Sequence, residues 1–186
     1  MIFVNIKIEA PLTRDEARKL HAGDSVLISG TIYTARDAAH KRLTAMIERG
    51  EPLPFPIENS VIYYVGPTPA KEGEVIGSCG PTTSGRMDAY APTLIALGET
   101  GMIGKGARNE DVVKAMKEHG AVYFAAIGGA GALLSSCVKE SEVIAFPDLG
   151  AEAVRKLKVF EFPAIVVIDT EGKNAYNIER DKYKTE

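Results

Sequence analysis

The longest apolar runs in this chain, such as Ala121 to Ile127 and Ala164 to Ile168, are the length of a strand. A helix that crosses a membrane needs roughly 20 apolar residues, so these runs point inward to a core and not outward to lipid. Between them lie segments with helical periodicity, and glycine or proline marks most of the joints. A chain of 186 residues is long enough for one domain with a real core and short for two. No repeat, linker or low-complexity block divides it, so residues 1–186 read as one mixed α/β domain. Met1 to Pro11 carries Lys7 and Glu9 and lacks a signal-peptide pattern. A cytoplasmic protein is the simple reading.

Local signals set the expected elements. Phe3 to Ile8 alternates as a strand does. Thr13 can cap a short helix, with Glu16 at the reciprocal capping-box position. Asp24 to Thr34 reads as a strand with a bulge or bend at Gly30. Ala35 to Glu48 reads as a helix closed by Gly50. The prolines of Glu51 to Pro56 exclude helix and central strand and predict an extended surface or core-edge segment. Val61 to Val65 predicts a strand, Thr100 to Gly106 a strand of little bulk, and Ala121 to Ile127 a buried strand. Asn109 is placed to cap a helix over Glu110 to Glu118, which Gly120 ends. Gly128-Gly129 then leads into a helix from Ala132 to Lys139. Glu142 to Phe146, Ala153 to Phe162 and Ala164 to Asp169 read as a β-rich tail with a hairpin, a turn at Glu171-Gly172-Lys173 and a polar end from Glu179.

Several function classes fall away. A net charge of −3 argues against a general polyanion binder, so no nucleic-acid partner is expected. The two cysteines, Cys79 and Cys137, lie 58 positions apart and cannot supply the usual four ligands of an iron–sulfur cluster or structural zinc. His21, His40 and His119 show no metal spacing. Gly98 to Gly106 imitates a P-loop, but Glu99 stands where the pattern needs glycine and Gly106 where it needs Ser or Thr. Gly129-Ala130-Gly131 imitates a dinucleotide turn, with Leu134 in place of the third small residue. Ser84 lacks the glycine two places before it that a nucleophile elbow needs.

One stretch carries chemistry: Gly77-Ser78-Cys79-Gly80-Pro81-Thr82-Thr83-Ser84-Gly85-Arg86-Met87-Asp88. A strand-like Glu74 to Gly77 feeds it, and a helical pattern in Met87, Tyr90, Leu94, Ile95 and Leu97 follows. Pro81 suits a first helical turn and the hydroxyls suit its cap. Free N–H groups, a helix dipole, hydroxyl donors and the Arg86 guanidinium would then meet on a small anion. Capping needs only one hydroxyl; Thr82, Thr83 and Ser84 supply three. Arg36 follows the strand ending at Thr34, with Asp37 next to it; a surface arginine paired to an acid is the competing reading. His40, four residues on, either supports a site or is a partly buried histidine. Lys105 lies between Gly104 and Gly106, as a loop lysine or a ligand-facing cation.

Thr34-Ala35-Arg36-Asp37-Ala38-Ala39-His40, Gly80 to Asp88 and Gly104-Lys105-Gly106 together resemble the β subunit of iron–sulfur hydro-lyases, the class I fumarases and L-tartrate dehydratases. The resemblance covers nearly the whole chain. It implies a swivelling β/β/α domain with a mixed sheet and flanking helices. It also implies a 4Fe-4S cluster held by three cysteines of a separate α subunit and not by this chain, a dimer of αβ pairs, and a chain inactive alone. Such a cluster acts as a Lewis acid on the substrate hydroxyl. By resemblance, Arg36, Arg86 and Lys105 bind the substrate carboxylates with Thr83, Thr82 is the base, and Asp37, His40 and Ser84 support them. Reversible hydration of fumarate to L-malate is the leading activity this implies. Tartrate dehydration and a non-catalytic carboxylate-binding module are the alternatives.

Overall fold

The computed structural model describes residues 5–126 and 130–182, the side chains of 179–182 excepted. The sequence readings at Phe3, Val4, Ile127 and Gly128-Gly129 lie outside those residues. In chain order come β1 (Ile6–Ala10), α1 (Arg14–Ala17), β2 (Ser25–Thr34), α2 (Asp37–Glu48), β3 (Val61–Tyr63), a 3-10 turn (Ser84–Met87) and α3 (Ala91–Ala96). There follow β4 (Gly101–Gly104), α4 (Glu110–His119), β5 (Val122–Ala125), α5 (Gly131–Ser136), β6 (Val138–Ala145), a second 3-10 segment (Pro147–Glu152), β7 (Val154–Ile168) and α6 (Ala175–Lys182). No helix among the described residues is long and apolar enough to cross a membrane.

Two long strands form the spine of a mixed sheet. β2 pairs with β7 antiparallel along its whole length, while its other edge serves β1 from Val26 to Gly30 and β3 at Tyr33 and Thr34. β3, β4 and β5 continue in parallel, and β5 returns to β7 antiparallel. The ring β2-β3-β4-β5-β7 therefore closes into a five-stranded barrel, with β1 and β6 outside it. Closure needs strong bending, and β2 supplies it at a register shift between Ile28 and Gly30. Gly30 has φ +100°, and a Cβ there would lie 2.1 Å from the Ala10 carbonyl oxygen, so only glycine fits.

Alternating residues split into two cores. Val26, Ile28, Tyr63, Ile103, Phe124 and Val166 face one, and Ile62, Tyr64, Met102, Tyr123 and Val167 face the other, under α2, α3 and α4. β3 to β5 are buried on both faces, which explains their unbroken apolar runs. Each fully buried large side chain contributes roughly 1.5–3 kcal/mol.

Four local expectations are corrected. Glu74 to Gly77 forms bends instead of a strand. The helix expected over Ala132 to Lys139 stops at Ser136, because Val138 already starts β6. Ala153–Phe162 and Ala164–Asp169 are parts of one strand, β7. Pro163 pairs with Leu27 between the stretch covered by β6 and that covered by β5, where one edge of β7 has no strand partner among the described residues and no donor is needed. The polar tail forms α6, begun by the Asn174 side chain accepting from the Tyr176 N–H at 3.0 Å.

Candidate active site

The carboxyl ends of parallel strands β2, β3 and β4 open onto one face, where α/β proteins commonly bind ligands. β2 ends at Thr34 and delivers Arg36; β4 ends at Gly104 and delivers Lys105. The chain beyond β3 receives the Gly80–Asp88 stretch from the side. Val65 bridges Pro81, the Thr82 N–H donates to the Tyr64 carbonyl at 2.7 Å, and Thr83 bridges Lys105 in parallel. The Lys105 N–H in turn donates to the Thr82 carbonyl at 3.3 Å, and the Ser84 N–H to the Lys105 carbonyl at 2.8 Å.

This geometry overturns the expected helix-start cradle. Pro81 does not open a helix, and neither Thr83 nor its neighbours cap one by a side-chain bond. Residues 81–83 are drawn into strand-like pairing, and only a four-residue 3-10 turn follows. So short a turn has no appreciable macrodipole. The positive potential of this face comes from side chains.

Arg36 stands at the N-cap of α2, and its Nη2 lies 3.4 Å from Glu152 Oε1 and 3.6 Å from Asp37 Oδ2. The other Asp37 oxygen, Oδ1, takes Arg86 Nε at 2.8 Å. Asp37 thus bridges the two arginines. Glu152 also accepts the Ala38 N–H of the first α2 turn at 3.0 Å. Gly66 makes room: a Cβ there would lie 2.8 Å from Arg36 Nη1. Arg36 Nε is buried without an acceptor among the described residues, so its donors are loosely matched. Arg86 and Lys105 are exposed, and Lys105 has no acidic partner within 4 Å among the described residues. Thr83 is exposed and Thr82 half-buried, on the same strand-like segment.

Two expected site residues face inward. Ser84 is buried and bonds the Tyr123 hydroxyl at 2.9 Å. His40 is buried against Tyr64, edge to face at 5.2 Å, with Nδ1 3.0 Å from the Arg36 carbonyl. Burial pushes its imidazole down to about 4, with Arg108 acting in the same sense. The ring is therefore neutral at pH 7, and the carbonyl requires the hydrogen on Nδ1. It holds the backbone of Arg36 and does not reach the open face.

Sequence reading missed Glu152, Arg108, Tyr64 and Tyr123. Arg108 has a fully buried side chain whose Nε meets Asp88 Oδ1 at 2.7 Å, between the rings of Tyr64 and Tyr123 at 5.3 and 5.1 Å. Asp88 ended the legible motif, which was the available signal for its partner. Glu152 gave none, because a distant turn brings it to α2.

The sequence profile of the family described as Fumarase C-terminus matches residues 2–178. The chain belongs to that family. This fumarase C-terminus chain is 39% identical over 178 residues to fumarate hydratase 2 of Leishmania major, covering 94% of this chain and 31% of that protein. It is 42% identical over 151 residues to the aerobic class I fumarate hydratase of Escherichia coli, covering 80% and 28% respectively. It thus spans about a third or less of the fumarate hydratases it matches. A Methanocaldococcus jannaschii protein provisionally assigned as an L(+)-tartrate dehydratase subunit beta is 41% identical over 171 residues, and there the match covers 89% of this chain and 88% of the relative.

Proposed function

We propose that this fumarase C-terminus chain is the β subunit of a heteromeric iron–sulfur hydro-lyase of the cytoplasm that reversibly hydrates fumarate to L-malate. One observation carries the reading: Asp37 ties Arg36 and Arg86 together beside the paired Thr83 and Lys105, on an open face at the strand ends. Three cations around hydroxyl side chains suit a dicarboxylate. Relatives named fumarate hydratase support the reaction, and the similarly sized relative named as a β subunit supports a separate partner. A dimer of αβ pairs is the assembly proposed.

The chain's own residues do not fit a cluster. It has two cysteines. The Cys79 thiol is buried against the Gly131 carbonyl at 3.8 Å, and burial pushes it up to about 11, away from the thiolate a metal needs. Cys137 Sγ lies against the Leu133 and Glu161 carbonyls. Among the described residues no group of three His, Cys, Asp or Glu could hold a metal ion. In this reading the cluster is the partner's.

This chain's contribution is binding and proton transfer. Arg86 spends Nε on Asp37, leaving its terminal nitrogens to take a carboxylate in a fork, next to Thr83, which pairs with Lys105. Arg36 turns its loosely held donors to the same substrate. In the dehydration direction Thr82, as its alkoxide, takes the proton from the carbon next to the substrate carboxylate and becomes the neutral hydroxyl, while the electrons of that C–H bond form the double bond and the neighbouring carbon releases its hydroxyl group as hydroxide. A threonine hydroxyl is a weak base, so the adjacent Arg86 and Lys105 charges must stabilise its alkoxide.

Anaerobic co-expression with a three-cysteine partner tests the reading, with fumarate hydration as the expected result. A pure complex with an intact cluster that turns over no hydroxy-dicarboxylate refutes it. Arg86→Lys removes the fork and should lower kcat/KM about 10- to 100-fold, the worth of a hydrogen bond to a charged group. A tartrate dehydratase β subunit is the second reading, favoured by the near-complete mutual coverage of the relative so assigned. The ratio of kcat/KM on malate and tartrate decides between them.

A further inference from the structure

Arg86 and Lys105 sit on different loops, and their separation is fixed from below by two buried fastenings. In the first, Asp88 Oδ1 accepts from Arg108 Nε at 2.7 Å while Oδ2 accepts from the Asn109 N–H at 2.7 Å. Asp88 follows the 3-10 turn that carries Arg86. Arg108 and Asn109 end the loop that carries Lys105, and Asn109 caps α4 through the Val112 N–H at 2.9 Å. In the second, the Tyr123 hydroxyl donates to the Gly106 carbonyl at 2.9 Å. Its single hydrogen being spent there, Ser84 Oγ is the donor to the Tyr123 oxygen, also at 2.9 Å. Tyr123 is anchored in β5, so both loops are referred to one rigid strand.

We infer that Asp88, Arg108 and Tyr123 are positioning residues that set the spacing of the Arg86 and Lys105 cations, and thereby the affinity for a dicarboxylate. The inference rests on the hydro-lyase reading. A buried Arg–Asp pair is a poor device for stability, because desolvation offsets much of its attraction. What it supplies is a fixed geometry: a planar donor between two aromatic faces, meeting a carboxylate whose other oxygen is already committed. Gly104 is part of the device, since any Cβ there would lie 1.9 Å from Ser84 Oγ and break the second fastening. The cations it spaces are themselves exposed, Arg86 held only by Asp37 and Lys105 by no acidic side chain among the described residues.

The test compares Tyr123→Phe and Asp88→Asn with wild type in the reconstituted complex. Looser cations hold the substrate less tightly, so KM should rise about tenfold per variant. A purely structural role lowers the active fraction, reducing kcat per total protein and leaving KM unchanged; that result overturns the inference. Tyr123→Phe keeps ring and volume, so it stands should Asp88→Asn fail to fold. If the wild-type complex turns over no hydroxy-dicarboxylate, the hydro-lyase reading fails on its own. Amide exchange of the full chain then decides, with residues 84–87 and 104–106 expected to exchange about tenfold faster in Tyr123→Phe relative to β7. Unchanged exchange overturns the inference.

Discussion

Replacing Glu99 by glutamine isolates what it costs to keep a carboxyl inside this fold. Glu99 is 1% exposed, and neither carboxyl oxygen has a hydrogen-bond partner among the described residues. Burial pushes the carboxyl up to about 8, although Arg108 pulls the other way. The folded group thus holds its proton in a range where the unfolded one has lost it. Its contribution to stability is full below about pH 4.5 and declines as pH rises to about 8. Linkage over that interval gives a penalty of about 1 kcal/mol at pH 5 and about 3 kcal/mol at pH 7. Glutamine has nearly the same shape and does not titrate. Glu99→Gln should therefore be more stable than wild type, by a margin that widens by about 2 kcal/mol from pH 5 to pH 7. Near neutrality the melting temperature should rise roughly 6–12 °C. Urea unfolding at pH 5, 6, 7 and 8, followed by circular dichroism, measures the margin, and the contributions of all other groups cancel in the difference. A margin that does not change with pH, or a variant less stable at pH 8, would refute the reasoning. A protonated Glu99 also leaves Arg108 committed to Asp88, which links this carboxyl to the fastening beneath the site.

Three further perturbations follow from the same geometry. His40 has the opposite sign: its folded value lies below the ordinary one, so stability is full above about pH 6.5 and lost as pH falls toward 4, by about 2 kcal/mol at pH 5. NMR of the imidazole at pH 5.5 should find a neutral ring with hydrogen on Nδ1, and a protonated ring contradicts this. Gly104→Ala and Gly66→Ala should separate folding from function. At Gly104 the new methyl meets Ser84 Oγ at 1.9 Å and Tyr64 Cδ2 at 3.1 Å in a packed interior, costing about 1–3 kcal/mol in urea unfolding. At Gly66 it meets Arg36 Nη1 at 2.8 Å and Cδ at 3.1 Å, a side chain that can shift, so the stability cost should stay below that of Gly104→Ala while KM rises. The reverse pattern would remove Arg36 from the site.

What could be read ahead of the structure was whatever a few neighbouring residues decide. The Thr13–Glu16 capping box, the Asn109 cap, the left-handed Gly120 and the bend at Gly30 all formed as their side chains or φ preferences require. Features decided by distant partners were illegible. Pro81-Thr82-Thr83 has the composition of a helix start, yet the Tyr64 carbonyl and Lys105 backbone compete for its amides and win. Pro163 looks like a strand break until the gap between β6 and β5 is known. Arg36, Asp37, Arg86 and Lys105 were legible as candidates because glycine or a strand end flanks each. That Asp37 would join Arg36 to Arg86, and Glu152 also hold Arg36, depends on tertiary closure alone.

The charges on this face suggest why the site would need a second chain. Arg36, Arg86 and Lys105 bring three positive charges, while Asp37 and Glu152 bring two negative ones. One net positive charge remains for a dianion such as malate. Arg86 and Lys105 are also exposed, where salt and water screen an ion pair to about 1 kcal/mol or less. Two such contacts correspond to a dissociation constant in the millimolar range or weaker once the entropy of association is included. The chain alone should therefore bind malate no tighter than about millimolar, with affinity falling as salt rises. Addition of a partner that covers the face would exclude water and strengthen the same contacts. Calorimetry of the purified chain, with and without the partner, measures both states. Micromolar binding by the chain alone, unaffected by a partner, would refute the half-site and support a self-sufficient carboxylate-binding module.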